Sequence, residues 1–121
     1  MIKKEMAREK RIANEIVVDA EPEEVAMGWY YSLDDKVKFP FKAKCIAEDK
    51  RTPLKLGEEL TVEGMAGENN CQYDMLVDVK WGGKTLSVPL SVLEPVNADA
   101  DTTEIVGDWH YWVKRGYVLV V

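Results

Sequence analysis

Val77-Asp78-Val79-Lys80-Trp81-Gly82-Gly83-Lys84-Thr85-Leu86-Ser87-Val88 decides the fold class of this chain. Two runs with period-two alternation flank a Gly-Gly pair, and a two-residue loop of this kind suits a primed turn, in which the central residues take positive φ. The stretch is therefore a hairpin. Outward from it, Phe39 to Ala47, Glu59 to Met65, Tyr73 to Trp81 and Thr85 to Leu90 each have alternating or β-branched character. Gly57, Gly64, Gly67-Glu68-Asn69-Asn70 and Gly82-Gly83 punctuate them. The segments 53–62 and 88–96 follow the strand and pre-terminal-turn pattern of SH3-like small barrels. Residues 37–96 are thus expected to form a β-barrel of about five strands, a scaffold that by itself fixes no activity.

Helices are expected on either side. Arg8 to Ala20 lacks Gly and Pro and carries Ile12, Ile16 and Val17 on one stripe. Glu21-Pro22-Glu23-Glu24 has proline and acids in a first turn, and Ala26, Trp29, Tyr30 and Leu33 follow on one face as far as Asp34-Asp35, before Pro40. At the other end, Asp101-Thr102-Thr103-Glu104 reads as a capping box opening a helix that runs to about residue 115, ahead of Gly116. Tyr117 to Val121 is apolar and expected to join the sheet. The fold class is α+β: N-terminal helices over 8–35, the SH3-like barrel over 37–96, and a C-terminal helix over 102–115. With 121 residues and no internal repeat, the chain is one domain, 1–121.

Charge is distributed unevenly. Seven acids (Glu15, Asp19, Glu21, Glu23, Glu24, Asp34, Asp35) lie between residues 15 and 35, and five (Glu94, Asp99, Asp101, Glu104, Asp108) between 94 and 108. Neither stretch contains a lysine or arginine. Clustered carboxylates suit a hard divalent cation, calcium or magnesium, and the competing account is a solvated acidic surface. Asp34-Asp35 ends a helix, where the negative end of the dipole makes carboxylates unfavourable unless a cation compensates. Asp108 immediately precedes Trp109-His110-Tyr111-Trp112, where a partly buried carboxylate needs a partner. Asn97 to Asp108 is not an EF-hand: Thr102 stands where the loop wants glycine and Asp108 where it wants glutamate.

Other chemistries are not signalled. No phosphate-cradling loop, nucleophile elbow or paired-cysteine zinc spacing occurs, and the single histidine, His110, reads as a packing residue, so the chain is not expected to be an enzyme. The net charge of −6 argues against nucleic acid as a partner. No signal peptide or membrane span is visible, which points to the cytoplasm, and Cys45 and Cys71 read as buried reduced thiols. A second class of function remains open: an interaction module presenting Trp29, Tyr30, Trp109, Tyr111 and Trp112 as an aromatic groove.

Glu15-Ile16-Val17-Val18-Asp19-Ala20, Met27-Gly28-Trp29-Tyr30-Tyr31, Leu33-Asp34-Asp35-Lys36, Phe39-Pro40-Phe41, Val88-Pro89-Leu90 and Gly107-Asp108-Trp109-His110-Tyr111-Trp112 together resemble the cyanobacterial calcium-binding protein family, often abbreviated CcbP. The resemblance covers nearly the whole chain. It implies a small acidic protein that holds or buffers Ca2+ without EF-hands, with binding carried by Asp35 first and Asp34 second. Ser32 departs from the family pattern, as does Asp34 in place of a longer glutamate. Asp108, Asp19 and Glu15 are the expected companions in the charged shell, and Asp101 and Glu104 are the weaker candidates.

Overall fold

A computed structural model describes residues 5–18, 21, 24–117 and 119. The short helix α1 (Met6–Arg11) runs directly into a π-helical turn over Ile12–Ile16. Helix α2 spans Val25–Lys36, five strands follow, and α3 (Ala100–Lys114) closes the order. The strands are β1 (Phe41–Cys45), β2 (Glu59–Met65), β3 (Leu76–Trp81), β4 (Lys84–Pro89) and β5 (Leu93–Pro95).

Each strand follows from its side-chain alternation. In β1, Phe41, Ala43 and Cys45 point inward while Lys42 and Lys44 face solvent. A one-residue slip would bury both lysines, so the register against β2 (Phe41 opposite Val62, Ala43 opposite Leu60) is strongly fixed. Gly82 and Gly83 have φ of +56° and +77°, as the primed hairpin between β3 and β4 requires. Glu63 is the extra residue of a bulge between the pairs Val62–Val79 and Gly64–Asp78. A 3-10 turn at Leu90–Val92 precedes β5.

All pairings are antiparallel and the strand order is β4-β3-β2-β1-β5. Because β4 and β5 lie at opposite edges and do not pair, the sheet is open rather than a closed barrel. α2 packs against β2, and α3 against β5 and the turn before it. Trp29 of α2 meets Trp109 of α3 edge-on, with ring centroids 5.0 Å apart. Both indoles are buried, as are Leu33, Ile105, Val62, Val77, Val79 and Leu93, and truncating either tryptophan to alanine costs about 3–5 kcal/mol.

The helices depart from expectation in two places. The helix expected over Arg8 to Ala20 gives way to the π turn and ends at Val17, whose φ of −115° leaves the helical region. Asp99, not Asp101, caps α3: its side chain accepts the Thr102 backbone N–H. The α conformation thus starts earlier than a cap at Asp101 allows, and Asp101 sits inside the first turn. Of the expected C-terminal strand 117–121, Val118, Val120 and Val121 lie outside the described residues. Cys45 and Cys71 are free and buried, as expected.

Candidate metal centre

The two acidic stretches meet. Lys38, just past α2, donates its backbone N–H to the buried Thr102 hydroxyl of α3 at 2.9 Å. Its ammonium also lies 3.9 Å from the Asp99 carboxylate. This bond ends α2 sharply: the N–H that would bond the Asp34 carbonyl in a longer helix goes to Thr102 instead. Pro40 has no N–H for the Lys36 carbonyl, and the Phe39-Pro40 peptide is cis. The last turn of α2 therefore has carbonyl oxygens without intrahelical donors at the negative end of the helix, where Asp34 and Asp35 add two exposed carboxylates.

No ion pair reaches either aspartate among the described residues. Glu15, exposed near the end of the π turn, pairs with Lys36, the last residue of α2, at 3.2 Å from its Nζ. Asp34 borders Tyr30, whose hydroxyl pKa is raised by burial first and then by the charges of Asp34, Glu68 and Asp78. Tyr31 donates to Glu68 at 2.8 Å. These are hard oxygen donors, the right chemistry for calcium. Yet no three Asp, Glu, His or Cys side chains among the described residues converge as a ready-made cage. A cation here would need main-chain carbonyls and water to complete six to eight oxygens.

Asp108, expected as a companion ligand, is paired within the protein instead. It is buried, and Arg11 clasps it with two parallel bonds, Nε to Oδ2 at 2.8 Å and Nη2 to Oδ1 at 2.7 Å. Arg8 Nη1 adds a third at 2.6 Å. Both carboxylate oxygens are engaged by guanidinium groups, and the bidentate geometry is among the strongest that a carboxylate accepts from a side chain. The Asp108 bonds also raise the pKa of Arg11. Arg8 and Arg11 were legible as an i, i+3 pair on one face of an N-terminal helix; nothing in the sequence said which of 22 acids they would meet.

The remaining candidates are spread out. Glu104 is exposed, 3.5 Å from Arg11 Nε. Asp101 is exposed in the first turn of α3, where the dipole favours it. Asp19 lies outside the described residues. Beside the Asn97–Asp99 loop, a cleft of about 640 Å³ is lined by Asp99 and Glu59 but also by Lys38 and Lys42, which oppose a cation. Of the five aromatics expected to present a groove, Trp29, Trp109 and Tyr111 are core residues, and Tyr30 and Trp112 are half-buried. His110 is largely buried in α3, and burial lowers its pKa.

Against known proteins, a family described as calcium binding matches residues 10–113. The crystal structure of Anabaena CcbP is 42% identical, covers 96% of each chain and superposes with a TM-score of 0.84. A structure described as a calcium-binding protein in the calcium-binding form is 45% identical over 94% of each chain, with a TM-score of 0.79. None of the curated proteins matches.

Proposed function

This chain belongs to the CcbP calcium-binding family, and from that premise we propose that it binds Ca2+ at the C-terminal end of α2, with Asp35 as the leading ligand and Asp34 and Glu15 beside it. The observation that carries the reading is electrostatic. Asp34 and Asp35 have no ion pair among the described residues and stand where the helix dipole is already negative, a placement that costs about 0.3–1 kcal/mol per group and that a divalent cation reverses. Asp35 supplies one or two oxygens. The free carbonyls of the last α2 turn and water supply most of the others. Glu15 joins when Lys36 swings aside, an exchange of low cost because an exposed ion pair is worth little.

Asp101 adds long-range negative charge from the facing start of α3. Glu104 is drawn toward Arg11 and Asp108 is neutralised by the two arginines, so neither is a ligand in this arrangement. No EF-hand loop is involved. A site completed by water and carbonyls is adaptable, which favours Ca2+ over Mg2+, because the smaller ion demands near-ideal octahedral geometry and dehydrates reluctantly. The role we assign is the non-enzymatic buffering of free calcium in the cytoplasm. No helix among the described residues is long and apolar enough to cross a membrane.

Calorimetry of metal-stripped protein tests this directly. Calcium should produce a saturable heat that magnesium reproduces only weakly. Asp35→Asn should weaken binding about tenfold, or about 1.4 kcal/mol. Asp78→Asn, on β3, should change it less than about twofold, which is about 0.4 kcal/mol. No calcium heat at millimolar metal sinks the reading, and a larger loss in Asp78→Asn moves the site to the sheet.

A further inference from the structure

Segment 5–17 is attached in an unusual way. Helix α1 buries none of its residues, and six residues are too few to be helical alone. What holds it is polar and distant in sequence. Arg8 and Arg11 clasp Asp108, and the Glu5 backbone N–H donates to the Tyr111 hydroxyl at 2.9 Å. Tyr111 and Tyr117 both donate to Glu9, at 2.5 and 2.9 Å. Ile12 and Ile16, with the partly buried Val17, anchor the segment in the core.

Two glycines form its seat. A Cβ on Gly107 would stand 3.0 Å from Arg8 Nη1, and one on Gly28 would stand 2.7 Å from the Ile16 carbonyl oxygen. Arg8 lies over α3 at one notch, and the end of the π turn presses on α2 at the other. Glu15 stands one residue before that second contact, which lies in the first turn of α2, and its carboxylate reaches Lys36, the last residue of α2, at 3.2 Å.

We propose that Asp108 is a positioning residue for calcium: by clasping Arg8 and Arg11 it docks an N-terminal arm, residues 5–17, that carries Glu15 to the ion held by Asp35. This rests on the calcium reading above and adds a coupling between arm and ion. An arm that contributes a ligand only when docked makes the docked state bind calcium more tightly, and by linkage calcium tightens the docking by the same factor. Asp108 acts through the arginines and touches no metal.

Hydrogen exchange of the arm, read by mass spectrometry on the full chain in calcium or chelator, measures that coupling. Because α1 does not hold its helix when undocked, exchange of amides 9–17 reports undocking directly. Saturating calcium should slow it about tenfold beyond any change in the β3–β4 hairpin, in the range usual for coupled sites. In Asp108→Asn the arm should exchange fast in chelator, and calorimetric affinity should fall about tenfold. Should that variant not fold, Gly107→Ala leaves Asp108 in place and only tilts Arg8, and it should weaken calcium about threefold in the same direction. Glu15→Gln should still bind calcium but lose calcium's protection of the arm.

A merely structural role for Asp108 predicts no calcium dependence specific to the arm. Calcium heat without arm protection in the wild-type protein therefore overturns the coupling while leaving the calcium reading intact, as does full protection in Glu15→Gln. Absence of calcium heat removes the reading and the coupling together.

Discussion

Asp108 and Asp35 are the same residue in two acidic stretches of similar composition, and the fold treats them oppositely. Asp108 is buried and holds three hydrogen bonds from two guanidinium groups. Asp35 is exposed at a helix end whose dipole repels it, and no ion pair reaches it among the described residues. The difference teaches that uncompensated charge in the sequence is not uncompensated charge in the fold. In the 94–108 stretch Asp108 is answered by arginines about 100 positions away, whereas the end of the 15–35 stretch keeps Asp34 and Asp35 exposed. The calcium site proposed above lies at the second.

The largest effect expected from this contrast is at Asp108. Replacing it by asparagine leaves two partly buried arginines facing a neutral amide, and breaking a buried pair in this way is strongly destabilising. Urea unfolding of Asp108→Asn in chelator should show a loss of about 3 kcal/mol. A loss under about 1 kcal/mol, the worth of an exposed pair, would mean the clasp is no stronger than surface pairing.

The same substitution at the helix end should have the opposite sign. In chelator, Asp35→Asn removes a repulsion, so stability should rise by about 0.3 kcal/mol, solvent screening keeping it at the low end. In saturating calcium the order should reverse, because wild-type protein gains about 2.7 kcal/mol at ~100 times its dissociation constant and the weaker-binding variant gains less. Paired melts at fixed ionic strength read both signs. If Asp35→Asn is destabilising in chelator, the aspartate has a structural partner and the contrast with Asp108 fails.

The smallest effect concerns His110, on the same helix as Asp108. Burial favours its neutral ring over any gain from Glu94, and Lys114 adds to the shift, so its pKa is held below the ordinary 6.5. The unfolded chain takes up the proton first. This contribution is intact above about 6.5 and lost as the pH falls through the lowered folded value. As the only histidine, it gives a single ring resonance to follow by NMR. A midpoint at or above 6.5 would show the interior beside α3 to be wetter than its packing indicates.

Much of the fold was legible because its signals are local. The Gly82-Gly83 hairpin, the strand over Glu59–Met65 and the stripe Ala26, Trp29, Leu33 depend on neighbours within a few residues, and period-two and helical spacings report them directly. The cap of α3 was misplaced by two residues because Asp99 and Asp101 offer equivalent oxygens, and the choice went to the one whose helix turns Thr102 inward to meet Lys38. Barrel closure was misread because strand patterning gives the strands and not whether the two edge strands pair.

By itself the sequence determined the elements, the segregated acidity and the hard-oxygen chemistry of Asp34-Asp35, since these are properties of residues and their immediate spacing. Only the tertiary structure decided that Arg8 and Arg11 would neutralise Asp108, that Thr102 would end α2 beneath Asp34 and Asp35, and that Glu15 would come to that end. The physical reason is that a carboxylate's environment is set by groups brought within about 3–4 Å in space, where Coulomb and hydrogen-bond energies are large. Residues 97 positions apart, such as Arg11 and Asp108, carry no mark in the sequence that they will be among them.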